Sequence, residues 1–171
     1  MNISLIGMMG SGKTTIAQLL VHKFPSYTFV DTDSLIVKEE NMSINQIFEI
    51  KGEAYFRTIE SNILEKILSS DNQIISTGGG IVKNPKNILN LKDSSLVFYL
   101  SADVDTLYER VKNNSERPLL NTEDMYNKIK LLLEQRIPLY QKAHYVIDTA
   151  SKTPDIIVDE IIEKLSNYAK S

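Results

Sequence analysis

Short apolar runs recur along this 171-residue chain, and longer stretches between them repeat their apolar residues every three or four positions. The runs at 3–6, 28–30, 73–76, 96–100 and 145–147 are too short for helices, and four of the five are rich in β-branched or aromatic residues. They predict five strands. Apolar without alternation, they read as parallel strands covered on both faces. Ile16, Leu19 and Leu20 form one helical stripe, and Ile59, Ile63, Ile67 and Leu68 a second. Leu107 with Val111, and Ile157, Ile161, Ile162 and Leu165, form two more.

Capping signals agree with these boundaries. Ser43 followed by Gln46 spells a capping box before Ile44 and Ile47. Asn84-Pro85 and Thr153-Pro154 each place a capping side chain before proline at the first helical position. Strands alternating with helices predict a three-layer α/β/α fold around a central five-stranded parallel sheet, with residues 1–171 as a single domain. One polar stretch, about 112–124, carries Asn113, Asn114, Ser115 and Glu116 before Arg117-Pro118 and predicts a long surface loop.

Composition narrows the functions. Nineteen basic against 22 acidic residues give a net charge of −3, which argues against a nucleic-acid or membrane-surface partner. An anionic ligand must therefore be drawn by local groups. The absence of cysteine excludes disulfides, thiolate metal sites and a cysteine nucleophile, and suits a reducing cytoplasm. The first apolar stretch meets Gly7 at once without a basic flank, so no secretory signal is expected. The run 96–100 is far shorter than the roughly 20 residues a membrane span needs, and a soluble protein is expected.

Residues 7–14 (Gly7, Met8, Met9, Gly10, Ser11, Gly12, Lys13, Thr14) fit the phosphate-loop pattern G-x-x-x-x-G-K-[ST]. A strand precedes it and a helix, expected from Thr15 to Lys23, follows. Glycines let the backbone approach phosphates closely, and successive amides with the helix N-terminus form an anion nest. Lys13 suits the β- and γ-phosphates and Thr14 a Mg²⁺ ion. Such a loop occurs in switch GTPases, motor ATPases, binding modules and small-molecule kinases alike, so other residues must decide between them.

Asp31 and Asp33 follow the second strand, at the sheet edge where open α/β folds bind ligands. If the strand continues through Asp33, both face one way, one toward a metal and one toward an acceptor hydroxyl. The competing reading makes either a helix cap. Asp103 is read as a helix-terminal acid suiting the dipole. Arg57 and Glu60 share one helix face, a spacing that also describes an ordinary surface ion pair. Gly52 before them and Phe48 and Phe56 beside them suggest a pocket wall instead. Gly78, Gly79 and Gly80 close the third strand, where bare backbone suits a ligand. Arg136 and Arg117 are further candidates for gripping a carboxylate or phosphate.

Taken in order, these motifs resemble shikimate kinase: the phosphate loop, Asp31-x-Asp33, Phe56-Arg57-x-x-Glu60, the three glycines, Arg117-Pro-Leu-Leu and Arg136-x-Pro-Leu-Tyr140 followed by Ile147-Asp148-Thr149. The resemblance implies a P-loop kinase architecture with a lid loop at about 112–124 and an acceptor-binding segment at about 33–60. It implies transfer of phosphate from ATP to the 3-hydroxyl of shikimate, with one Mg²⁺ per subunit, in the pathway to chorismate and aromatic amino acids. By the same resemblance, Asp33, Arg57, Glu60, Gly78, Gly79, Gly80 and Arg136 bind shikimate. Lys13, Asp33 and Arg117 act in catalysis, and Thr14 and Asp31 serve the metal. The nucleotide lies against residues 7–15, from Gly7 to Thr15, with Arg110, Arg117, Thr153 and Pro154. A cytoplasmic monomer is expected. The alternatives are a gluconate or nucleoside monophosphate kinase, or a nucleotide-binding regulator without turnover.

Overall fold

The computed structural model describes residues 1–112 and 124–170. Five strands, β1 (Asn2–Ile6), β2 (Thr28–Asp31), β3 (Gln73–Ser76), β4 (Ser95–Ser101) and β5 (Tyr145–Asp148), form one parallel sheet in the order β2-β3-β1-β4-β5. Every predicted strand is present, with ends differing by at most a residue or two. β1 and β3 are buried along their length, and β4 is buried up to Ser101. The two edge strands, β2 and β5, are only partly covered, so not every apolar run marks a strand buried on both faces.

Neighbouring residues of a strand point to opposite faces, so each unbroken apolar run feeds two cores. Ile3, Leu5, Ile74, Leu96, Phe98 and Leu100 pack with Ile16, Leu20, Ile157 and Ile161. Those helical residues belong to α1 (Lys13–Lys23) and α7 (Pro154–Tyr168). Ile6, Ile75, Val97 and Tyr99 pack on the other face. There they meet α2 (Thr32–Glu40), α3 (Ile44–Leu68), α4 (Pro85–Ser94), α5 (Val104–Val111) and α6 (Met125–Tyr140). The result is the three-layer α/β/α architecture.

The caps form as their sequences specify. Ser43 and Gln46 complete the capping box of α3. Asn84 and Thr153 start α4 and α7, and Asp103 accepts from Thr106 N at 2.8 Å to start α5. Two starts differ from expectation. α1 begins at Lys13 rather than Thr15, because Gly12 takes a left-handed φ of 94° and caps it there. β2 ends at Asp31, because its carboxylate captures Ser34 N at 2.9 Å and turns the chain into α2. Asp33 thus stands in a first helical turn, not on an extended strand. Inside α3, Gly52 leaves helical geometry at φ 84°, ψ 165°.

Candidate active site

The C-terminal ends of β1, β2 and β3 bring together the phosphate loop, the Asp31–Asp33 corner and the glycine turn. At Gly7 a β-carbon would lie 2.6 Å from the Leu100 carbonyl, so the loop leaves β1 where no side chain fits. With α1 starting at Lys13, its first amides remain unused by the helix and open to an anion. Lys13 is nearly buried and folds back over the loop, donating to the Gly7 and Met8 carbonyls at 2.9 Å each.

Two cavities meet here. An open cleft of about 1020 Å³ is lined by Gly10, Gly12, Lys13, Thr14, Thr15, Asp31, Ser76 and Arg110. A smaller cavity of about 420 Å³ is lined by Met9, Ile44, Phe48, Phe56, Arg57, Glu60, Gly78, Gly80 and Arg136. Asp33 and Gly79 line both. One carboxylate therefore stands where the contents of the two spaces meet.

In the larger cleft, Thr14 Oγ1 donates to Asp31 Oδ2 at 3.2 Å and lies 3.2 Å from Ser76 Oγ. Asp31 caps α2 with one oxygen, as the cap reading expected, and holds Thr14 with the other. Arg110 spans the cleft wall: Nη1 donates to Gly10 O at 3.2 Å and to Thr149 Oγ1 at 3.1 Å, and Nη2 to Thr149 O at 3.0 Å. Ser11 is buried within the loop. Thr153 and Pro154 start α7 and are not among the residues lining either cavity. Arg117 and the expected lid lie outside the described residues.

The smaller cavity pairs an apolar wall with buried charge. Arg57 Nη1 donates to Glu60 Oε2 at 2.8 Å, while Nε and Nη2 reach Glu53 Oε1 at 3.3 and 3.2 Å. Glu60 is 1% exposed, so the surface-pair reading of Arg57 and Glu60 fails. Burial raises the Glu60 carboxyl above the ordinary value, and Arg57 opposes this only in part. Both carboxylates crowd Gly78: a β-carbon there would lie 2.6 Å from Glu60 Oε1 and 2.7 Å from Asp33 Oδ1. At Gly80 it would lie 2.3 Å from Arg57 Nη1.

Arg136 is 3% exposed. Its Nη1 donates to Gly79 O at 3.2 Å and lies 3.8 Å from Met8 Sδ. Its Nη2 is buried with no partner among the described residues, and no carboxylate among them pairs with it. A buried guanidinium left this way is unfavourable until an anion arrives. The cavity thus sets a buried guanidinium beside an apolar wall and is bordered by the carboxylate it shares with the phosphate cleft.

Met8 and Met9 are expected against the nucleotide, yet neither lines the phosphate cleft: Met9 faces the smaller cavity and Met8 reaches Arg136. Sequence reasoning left other residues unassigned. Ser76 and Thr32 carried no pattern. Tyr140 stood inside a recognised motif without a role of its own.

A shikimate kinase family model matches residues 9–166. The shikimate kinase of Thermodesulfovibrio yellowstonii is 42% identical over 169 residues, covering 97% of each chain. That of Caldicellulosiruptor bescii is 40% identical over 161 residues, 94% of this chain and 93% of the relative. Among solved structures, the shikimate kinase from Acinetobacter baumannii in complex with shikimate superposes with a TM-score of 0.93 at 36% identity, over 97% of this chain and 93% of that one. A gluconokinase from Sinorhizobium meliloti, 14% identical with a TM-score of 0.61 over 99% of this chain and 93% of its own, shares the fold alone.

Proposed function

The chain belongs to the shikimate kinase family, and from that premise we propose that its two cavities hold the two substrates of one phosphoryl transfer. The enzyme is an ATP-dependent kinase that converts shikimate and ATP to shikimate 3-phosphate and ADP. We assign ATP to the cleft over the phosphate loop and shikimate to the smaller cavity. The observation carrying this is the buried, unpaired Nη2 of Arg136 in a cavity that shares Asp33 with the phosphate cleft. A small hydroxylated carboxylate suits it: the carboxylate satisfies Arg136, with Arg57 beside it, and the ring lies against Phe48, Phe56 and Met9.

In this reading the loop amides and Lys13 hold the phosphates, and Asp33 orients the acceptor hydroxyl. That oxygen attacks the γ-phosphorus, the bond to the β–γ bridging oxygen breaks to release ADP, and the Asp33 carboxylate accepts the hydroxyl proton. Positioning and charge neutralisation carry most of the rate. Arg117, by family pattern, adds positive charge to the γ-phosphoryl group. Arg110 joins the nucleotide cleft, with Thr153 and Pro154 toward the base. Thr14 and Asp31 supply the hard oxygen atoms that would hold Mg²⁺. When bound, the ion would neutralise phosphate charge.

We propose that the enzyme works as a cytoplasmic monomer. No helix among the described residues is long and apolar enough to cross a membrane. The test is ADP release with shikimate, gluconate or a nucleoside monophosphate as acceptor. Release driven by shikimate supports the assignment. Release driven by either of the others instead overturns it.

A further inference from the structure

Three consecutive glycines have more backbone freedom than any other tripeptide, so the turn at 78–80 is held by its neighbours. Thr32 is fully buried and accepts from Gly78 N at 2.9 Å through Oγ1. On the other side, the Tyr140 hydroxyl donates to the Gly79 carbonyl, which also accepts from Arg136 Nη1 at 3.2 Å. Arg136 and Tyr140 are four residues apart on α6 and share a face, so both reach one oxygen. Tyr140 is fully buried, and its ring stacks on Tyr99 at 4.9 Å between centroids. Its hydroxyl also lies 3.9 Å from Met8 Sδ, but it has a single proton, and a carbonyl is a better acceptor than a thioether. Burial pushes the phenol up to about 12, so it remains a donor at neutral pH.

No hydrogen bond to a described residue engages the amides of Gly79 and Gly80, and both residues line the smaller cavity. Tyr140 and Thr32 do not line it. We propose that Tyr140 and Thr32 are positioning residues for phosphoryl transfer, fixing the glycine turn from two sides. Tyr140 also fixes Arg136 through the shared Gly79 oxygen. They set where the acceptor lies relative to Asp33 without touching it. The inference rests on the smaller cavity being the shikimate site.

The experiment compares steady-state kinetics and melting temperature for wild type, Tyr140→Phe, Thr32→Val and Thr32→Ser. Tyr140→Phe keeps the ring and its stacking and removes only the donor. The expected result is a fall of about tenfold in kcat/KM for shikimate with the KM for ATP nearly unchanged. Thr32→Val falls in the same direction, and Thr32→Ser, which restores the hydroxyl, recovers most of the loss. Wild-type shikimate kinetics in both Tyr140→Phe and Thr32→Val, whatever their melting temperatures, overturn the inference alone. So does an equal rise in the KM for ATP. A wild-type protein that does not turn over shikimate overturns the functional reading and this inference with it.

Discussion

Replacing Arg136 with methionine keeps the buried stem and removes the charge. Arg136 is 3% exposed, and its Nη2 meets no acceptor among the described residues. A hydrogen bond from such a charged group contributes about 1.5–3 kcal/mol. Loss of one to the substrate carboxylate raises the KM for shikimate by about tenfold to a hundredfold. Stability moves the other way. The variant sheds a buried charge that forms no ion pair among the described residues, and the Gly79 carbonyl keeps the Tyr140 hydroxyl. The melting temperature is therefore expected to hold or rise. Arg136 does not line the nucleotide cleft, so the KM for ATP changes by no more than about twofold. The assay couples ADP release to NADH oxidation, varying each substrate against saturating amounts of the other. It is repeated with the carboxamide analogue of shikimate. Wild type discriminates strongly against the amide, and the Arg136→Met variant does so weakly. Undiminished discrimination in the variant, or equal losses for both substrates, would refute the carboxylate role.

Lys13→Ala is expected to lower kcat by about a hundredfold or more while circular dichroism stays native; unchanged turnover removes Lys13 from the phosphates. Gly78→Ala places a methyl 2.6 Å from Glu60 Oε1 and 2.7 Å from Asp33 Oδ1, so both carboxylates shift and kcat drops while nucleotide binding, read by calorimetry, survives. Retained kcat would show that the carboxylates can yield without harm. Glu60 gives a pH test. Its folded pKa is raised by burial above the ordinary value of 4.5, so its contribution to stability is present below that value and lost as pH rises through the folded pKa. Glu60→Gln does not titrate there. Scanning calorimetry should find wild type losing stability relative to Glu60→Gln as pH rises, and the opposite slope would mean that Arg57 outweighs burial.

The runs of β1, β3 and β4 were legible because burial on both faces leaves no alternation to obscure them, and Ser43, Asn84 and Thr153 marked helix starts through their own hydrogen bonds. Strand order was not legible, since it depends on contacts between distant segments. Asp31 could be read as cap or as metal neighbour, and the early end of its strand leaves it capping α2 with one oxygen while the other accepts from Thr14. The spacing of Arg57 and Glu60 was visible in the sequence. The pocket wall that Gly52, Phe48 and Phe56 suggested is present, but the sequence did not show that the glycine turn lies against both residues, Gly78 at Glu60 and Gly80 at Arg57. Thr153 and Pro154 show the reverse: their helix-starting role was plain, while their expected place near the nucleotide base draws no support from the cavity linings.

The break at Gly52 divides responsibility for the acceptor cavity. Ile44 and Phe48 come from the segment before it, and Phe56, Arg57 and Glu60 from the segment after it. A helix of unbroken geometry would transmit a shift at one end to the other as a rigid rod. Here the greasy half of the wall can change residue by residue while the ionic half keeps its register on the glycine turn. Sequence drift in this enzyme can thus tune how snugly a ring is gripped without disturbing how its acid group is read.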